Sequence, residues 1–423
     1  MKDNQGILPN VLALYGVQVG RKLIPLISIP YLARVLGPAG WGAIAFVQAM
    51  AELLVIVIEF GFNISATREV ARNRDNPEAC GRIMAGVLGA QAVLAAAGLV
   101  VVIAVSRFLP VVSTQRDMLA AGLVYAVAQG FAPLWFFQGL ERMRWAAALE
   151  LTGKVLALGG LFLLVHSPAD KWRVLALAAL APTLTTVAGL GLAYRTIPMR
   201  APSWALVRPA LVMGGPMFLF RSAESLYGVG NAFLLGLFCT PELVGYFAAA
   251  EKIAKAGFGL LNPIREAMFP RLSHLAATGG EDAAAPLARL GATLMISGGA
   301  VLAVGLFFAA PWASKLLLGG EFVPAVDVLR ILAALPLLLS ITYSVGFQWL
   351  LPFGRDGLIN RIILSAGLVN VALSFLWARP YGHIGMAWAV VSAEAVVCVS
   401  MVAAVWRFSG TWTAPVIRTE NCG

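Results

Sequence analysis

Val11–Arg74 reads VLALYGVQVGRKLIPLISIPYLARVLGPAGWGAIAFVQAMAELLVIVIEFGFNISATREVARNR, and this stretch decides the fold because it recurs. Shifted by 203 positions, it meets a second stretch between Met213 and His274. Pro38 falls on Pro241, Gly42 on Gly245 and Arg68 on Arg271. Polar residues also fall on polar residues: Gln18 on Arg221, Arg21 on Glu224, Ser28 on Asn231, Gln48 on Glu251, Glu52 on Lys255, Glu59 on Asn262 and Asn63 on Glu266. The residue types change while the polar character persists. That is the pattern expected of two structural repeats facing one central site near a membrane midplane.

Composition supports a membrane setting. Hydrophobic residues make up 60% of the 423, charged residues 12%, and the mean hydropathy is +0.83. A soluble domain carries about 25% charged residues. Apolar runs of the roughly 20 residues needed to cross a bilayer recur along the whole chain. They are continuous rather than alternating, so they predict helices, one of the two structures lipid tolerates. The net charge of +10 does not indicate a nucleic-acid partner, because the basic residues are spread among short loops. Cys80, Cys239, Cys398 and Cys422 have no ligand or framework spacing. Residues 1–10 are polar and the segment after them is too long for a signal h-region, so no cleaved leader is expected.

Hydropathy predicts twelve spans: 10–36, 41–64, 83–105, 118–138, 146–166, 173–194, 210–237, 243–269, 289–310, 326–350, 359–377 and 384–406. The implied organisation is a six-helix lobe over 1–194, a cytoplasmic linker over 195–209, a second six-helix lobe over 210–406 and a tail over 407–423. The expected fold is thus all-α and polytopic, two lobes about a central cavity. The longest loop is expected at 270–288, around Gly279-Gly280. With both termini in the cytoplasm, 16 Lys and Arg lie in cytoplasmic segments against 7 outside, which satisfies the positive-inside rule.

Polar groups within spans are costly and mark function. Four spans carry them as stripes at helical spacing: Gln18, Arg21 and Ser28; Gln48, Glu52, Glu59 and Asn63; Arg221, Glu224 and Asn231; Glu251, Lys255, Asn262 and Glu266. The stripes imply a water-filled cleft between the lobes. Glu150–Lys154, Asp327–Arg330, Arg221–Glu224 and Glu251–Lys255 are spaced to pair within their helices. Arg21 and Lys22 have no acid within one turn, and Lys252 stands beside the stripe. Arg21, Lys22, Arg221, Lys252 and Lys255 are therefore candidates to bind an anionic group, with Gln48, Asn231 and Asn262 to bind a polar one. Glu52, Glu59 and Glu394 are candidate carriers of a coupling proton or sodium ion, and no other cofactor is expected. His166, His274 and His383 have no partner at metal spacing, and no phosphate-binding loop motif GxxxxGK[ST] is present. Nothing therefore points to catalysis, and the chain is not expected to be an enzyme.

Several stretches resemble the Wzx-type polysaccharide (O-antigen repeat-unit) flippases, within the superfamily that also holds lipid II flippases and multidrug extruders. They are Tyr31–Pro38 (YLARVLGP) with Gly40-Trp-Gly, Ala66–Arg72 (ATREVAR), Pro133–Arg142 (PLWFFQGLER), Asn262-Pro263 with Phe269-Pro-Arg271, and Asn370 with Tyr381–Ala387 (YGHIGMA). The resemblance implies about twelve helices in two bundles, alternating access in a bacterial inner membrane, and a cationic cavity for a polyprenyl-diphosphate-linked oligosaccharide. Expected partners are that lipid-linked sugar, membrane lipids, and a polysaccharide polymerase with its chain-length machinery. Two alternatives are a cation-coupled multidrug antiporter of the same fold, which calls for a net acidic cavity, and a membrane enzyme of polysaccharide assembly, which calls for a large external loop.

Overall fold

In the computed structural model, two glycines turn long rods into hairpins. Helix α1 runs Asn4–Glu59 and α15 runs Asp356–Ser409, 56 and 54 residues. A rod of that length would be about 80 Å long, far more than the roughly 30 Å of a bilayer core. Gly37 (φ 65°) and Gly382 (φ 58°) break them. Both hold backbone angles that side-chain-bearing residues avoid, and the chain reverses there. The structure describes residues 4–107 and 116–409; side chains are described for 27–107, 116–218, 222, 228–266 and most of 268–409.

After α1 come α2 (Phe62–Arg72), α3 (Pro77–Ser106), α4 (Arg116–Gly130), α5 (Leu134–Gly139), α6 (Met143–Leu164), α7 (Lys171–Ala178) and α8 (Leu180–Ala193). The second half holds α9 (Trp204–Gly228), α10 (Asn231–Gly236), α11 (Pro241–Gly259), α12 (Asn262–Leu317), α13 (Ala325–Leu332), α14 (Leu335–Tyr343) and α15. No strand occurs among the described residues. Eight helical stretches are long and apolar enough to cross a membrane, and two of them, Ile27–Arg72 and Gly357–Arg407, contain the hairpins' turns or breaks. Large apolar side chains such as Val100, Leu163, Val187, Val301, Phe308 and Trp406 stand exposed, as lipid-facing residues do. The chain is an all-helical, multi-span membrane protein.

The loop expected at 270–288 is not there: α12 continues unbroken from Asn262 to Leu317. Hydropathy marks where a helix leaves the apolar layer, not where it ends. The Ala- and Leu-rich sequence around the glycine pair favours helix, and each glycine costs only about 1 kcal/mol. The second span also breaks earlier than expected, at Phe60–Gly61, where both residues have positive φ.

The repeat is visible as a reciprocal contact. A Cβ placed on Gly42 would lie 1.7 Å from the Pro241 carbonyl oxygen, and one on Gly245 would lie 2.0 Å from that of Pro38. Pro38/Pro241 and Gly42/Gly245 are the matched pairs of the 203-residue shift, so each repeat presents the same surface to the other. This is the signature of a pseudo-two-fold axis between α1 and α11. The largest apolar cluster spans the junction, with Leu36, Phe46 and Val47 packed in one body with Leu235, Phe247 and Leu329, and Phe46 stacks on Phe233 at 5.3 Å.

Candidate functional site

The polar stripes line two cavities rather than one cleft. The first, about 620 Å³, lies among α1, α4, α6, α7 and α8; its polar lining includes Ser28, Gln48, Glu52, Glu59, Tyr125 and Gln129. The second, about 500 Å³, lies among α9, α11, α14 and α15; its polar lining includes Asn231, Lys255, Thr342, Asn360 and Glu394. They adjoin at the break between α9 and α10: Val229 lines the first and Gly228 the second. The expectation that Glu52 and Lys255 face one compartment is therefore corrected. The pseudo-two-fold relates two sites, one per lobe, because each stripe turns into its own bundle while the small residues Gly42 and Gly245 fill the junction.

In the first cavity, the Tyr125 hydroxyl donates to Glu52. Lys154 donates to Glu150 at 2.7 Å, forming the pair expected from their spacing. Sequence reasoning missed Tyr125 and Gln129. They stand four residues apart on α4, one face of one helix, and that spacing was the available signal.

In the second cavity, Lys255 donates to Glu251 at 2.8 Å and to the Gly228 carbonyl at 2.7 Å. That carbonyl is at the C-terminal end of α9, where a cation is favoured. Asn231 donates to the same Glu251 at 2.8 Å and accepts from Asn370 at 2.9 Å. Asn231 and Asn370 are fully buried, so this network ties the broken helix to α11 and α15. Glu394, 2% exposed, accepts from Thr342 at 2.9 Å. Beside the cavity the backbone widens into a π-helix, Ser344–Leu350, a form that often accompanies functional sites.

These placements alter the reading of the cations. Lys255 is paired, and Lys252 lies over the Trp41 ring at 4.7 Å, lining neither cavity. Asn262 also lines neither. Arg330 pairs with Asp327 at 3.7 Å as spaced. The side chains of Gln18, Arg21, Lys22, Arg221 and Glu224 lie outside the described residues. The argument from unpaired cations against an acidic cavity fails for the described part: the first cavity is lined by three carboxylates and one ammonium.

The network around Glu251 makes a testable contrast. Glu251→Ala strands Lys255 and Asn231, and hydrogen bonds to charged groups contribute about 1.5–3 kcal/mol each. Lys252→Ala removes a cation–π contact worth about 0.5–1 kcal/mol. The detergent-solubilised Glu251→Ala protein should melt well below Lys252→Ala; equal melting temperatures contradict the assignment.

The lobes are closed at the end bearing Gly37. There Arg34 donates to the Leu316 carbonyl at 2.5 Å, a Cβ on Gly37 would lie 2.9 Å from Glu321, and the Gly42–Gly245 crossing sits just behind. At the opposite corner, the stretches ATREVAR and PLWFFQGLER form one packing unit. Gly139 lies against Val70, Thr67 donates to the Trp135 carbonyl at 3.1 Å, and Trp135, Phe136 and Phe137 are buried. These motifs brace α2 against α5 rather than carry chemistry.

The solved structures that share this arrangement include a lipid II flippase, MurJ, in an inward closed conformation (TM-score 0.74, 12% identity, covering 94% of this chain and 87% of that one). Another is an inward-facing multidrug resistance MATE family transporter (TM-score 0.67, 14% identity, 93% and 99%). At such identities the likeness is one of fold. Among sequence relatives, the "Putative O-antigen transporter" of Escherichia coli (strain K12) is 28% identical over 390 residues, 92% of this chain and 94% of that protein. The "Probable low-salt glycan biosynthesis flippase Agl15" of Haloferax volcanii is 22% identical over 388 residues, 88% and 78%. The model of the family described as "Polysaccharide biosynthesis protein" matches residues 7–276, about two thirds of the sequence and all of the repeated stretch. The chain belongs to the polysaccharide biosynthesis protein family.

Proposed function

We propose that the protein is a flippase that carries a polyprenyl-diphosphate-linked oligosaccharide across the bacterial inner membrane by alternating access, with both termini in the cytoplasm. The observation that carries this reading is a polar cavity inside a helical bundle whose lobes are sealed at one end by Arg34 and the Gly42–Gly245 crossing. A polar head can enter such a cavity only from the other end or from the side, and must leave by reopening the seal. Sugar and diphosphate cannot cross hydrocarbon unaided, because each unpaired polar group costs several kcal/mol there. The names of the sequence relatives support the same cargo. They also favour it over the multidrug antiporter reading, which rests on fold likeness. No sequence relative reported above is named as an enzyme, and transport without catalysis is the reading adopted.

Arg21 and Lys22 on α1, with Arg221 on α9, are proposed to hold the diphosphate. Arg21 precedes the cavity-lining Ser28 by seven residues, two turns along one face. Arginine suits bidentate phosphate contacts, and lysine acts as a point charge. Glu52, Glu59 and Glu394 are proposed carriers of a coupling proton or sodium ion. A polymerase with its chain-length machinery would receive the product. Deleting the chain in its native host should abolish surface polysaccharide while undecaprenyl-type lipid-linked repeat units accumulate on the cytoplasmic leaflet. Unchanged surface polysaccharide contradicts the proposal.

A further inference from the structure

The cavity of the N-terminal lobe has a lining suited to one kind of head group. The amides of Gln48 and Gln129 reach it from α1 and α4, and neither has a hydrogen-bond partner among the described residues. An amide both donates and accepts, which matches a hydroxyl. The Tyr125 hydroxyl and the Glu52 carboxylate sit between them in the lining. The volume, about 620 Å³, lies within the range that holds a small organic ligand, and equals the share of about twenty liquid waters at ~30 Å³ each. The lining is also charged in one direction. Glu52, Glu59 and Glu150 face a single ammonium, Lys154, which pairs with Glu150. An anionic ligand would bring a like charge against Glu52 and Glu59 in an enclosure screened from bulk water, where such repulsion is strong.

We propose, building on the flippase reading, that this cavity receives the sugar of the lipid-linked cargo and that its charge selects neutral or amine-bearing sugars and rejects uronic acids. Hydroxyl and amine groups bind the free amides and carboxylates; a ring carboxylate finds a repulsive lining, which is how a site discriminates against a near-isostere. The diphosphate does not enter this cavity, because its proposed partners Arg21 and Lys22 lie two turns away along α1.

The test uses cells lacking their own flippase. They are supplied either with a pathway for a neutral repeat unit or with one whose unit differs by a single uronic acid, each exported normally by a flippase native to that pathway. Surface polymer and membrane abundance of the protein are measured. The wild type should export the acidic unit at least about ten-fold less than the neutral one. Glu52→Gln with Glu59→Gln should raise the acidic-to-neutral ratio several-fold. Gln129→Lys, which adds a cation and leaves the acids in place, should raise it too. The ratio is taken within one protein, so losses in folding cancel; if the double variant is absent from the membrane, Gln129→Lys decides. Equal export of both units by the wild type overturns the inference while leaving the flippase reading standing, as does a ratio that neither variant moves. Export of neither unit overturns both.

Discussion

Gly42→Ala is expected to cut export between about 5- and 150-fold. The Cβ would fall 1.7 Å from one backbone atom of α11 and 2.5 Å from another. Backbone cannot rotate away as a side chain can, so the helices must part. Overpacking of this kind costs about 1–3 kcal/mol, which as a coupling energy gives that range of fold-changes. Gly245→Ala meets the Pro38 carbonyl in the mirror-image contact and should behave alike. Because the crossing closes one end of the lobes, both variants should also expose the cavity. A cysteine introduced as Gln48→Cys should react faster with a membrane-impermeant thiol reagent added outside the cell. Gly257→Ala and Gly305→Ala, where a Cβ meets open space, serve as controls with near-normal export. Full export by Gly42→Ala contradicts the closed crossing.

Arg21→Ala is expected to abolish export while the protein remains near its normal abundance. A charge in a span costs about 2.5–3.5 kcal/mol on insertion scales, so it persists because something compensates for it. If the ligand diphosphate compensates, removing Arg21 spares the fold and stops transport, and Arg21→Lys recovers part of the activity by keeping the charge without the bidentate fork. If a carboxylate such as Glu52 or Glu224 compensates instead, Arg21→Ala strands a buried acid and abundance falls. Full activity at normal abundance contradicts both versions and returns Arg21 to a side chain that reaches the membrane surface.

The repeat, the spans and the hairpin turns were legible because they rest on local signals: apolar runs, one shared offset, and glycines at Gly37 and Gly382. The expectation that both stripes face one cavity rested on less. A stripe says that a face avoids lipid, and says nothing of which neighbour it meets. Gln48 and Glu52 turn into their own bundle, as do Asn231 and Lys255, and only the packing of α4 and α15 shows it. The same limit applied to charges. The i,i+4 pairs Glu150–Lys154 and Glu251–Lys255 could be read along the chain, but Asn231 reaching Glu251 and Asn370 could not. Lys252 looked unpaired because its partner is the face of Trp41, far away in sequence. The loop expected at 270–288 became helix because polarity was read as irregularity.

The most direct test of the account is transport by the purified protein in liposomes. A polyprenyl-diphosphate-linked oligosaccharide is placed in one leaflet, and its arrival in the other is followed with a membrane-impermeant sugar-cleaving enzyme. The account predicts protein-dependent crossing that Gly42→Ala and Arg21→Ala suppress. Crossing no faster than in protein-free liposomes, under every imposed proton or sodium gradient, would contradict it.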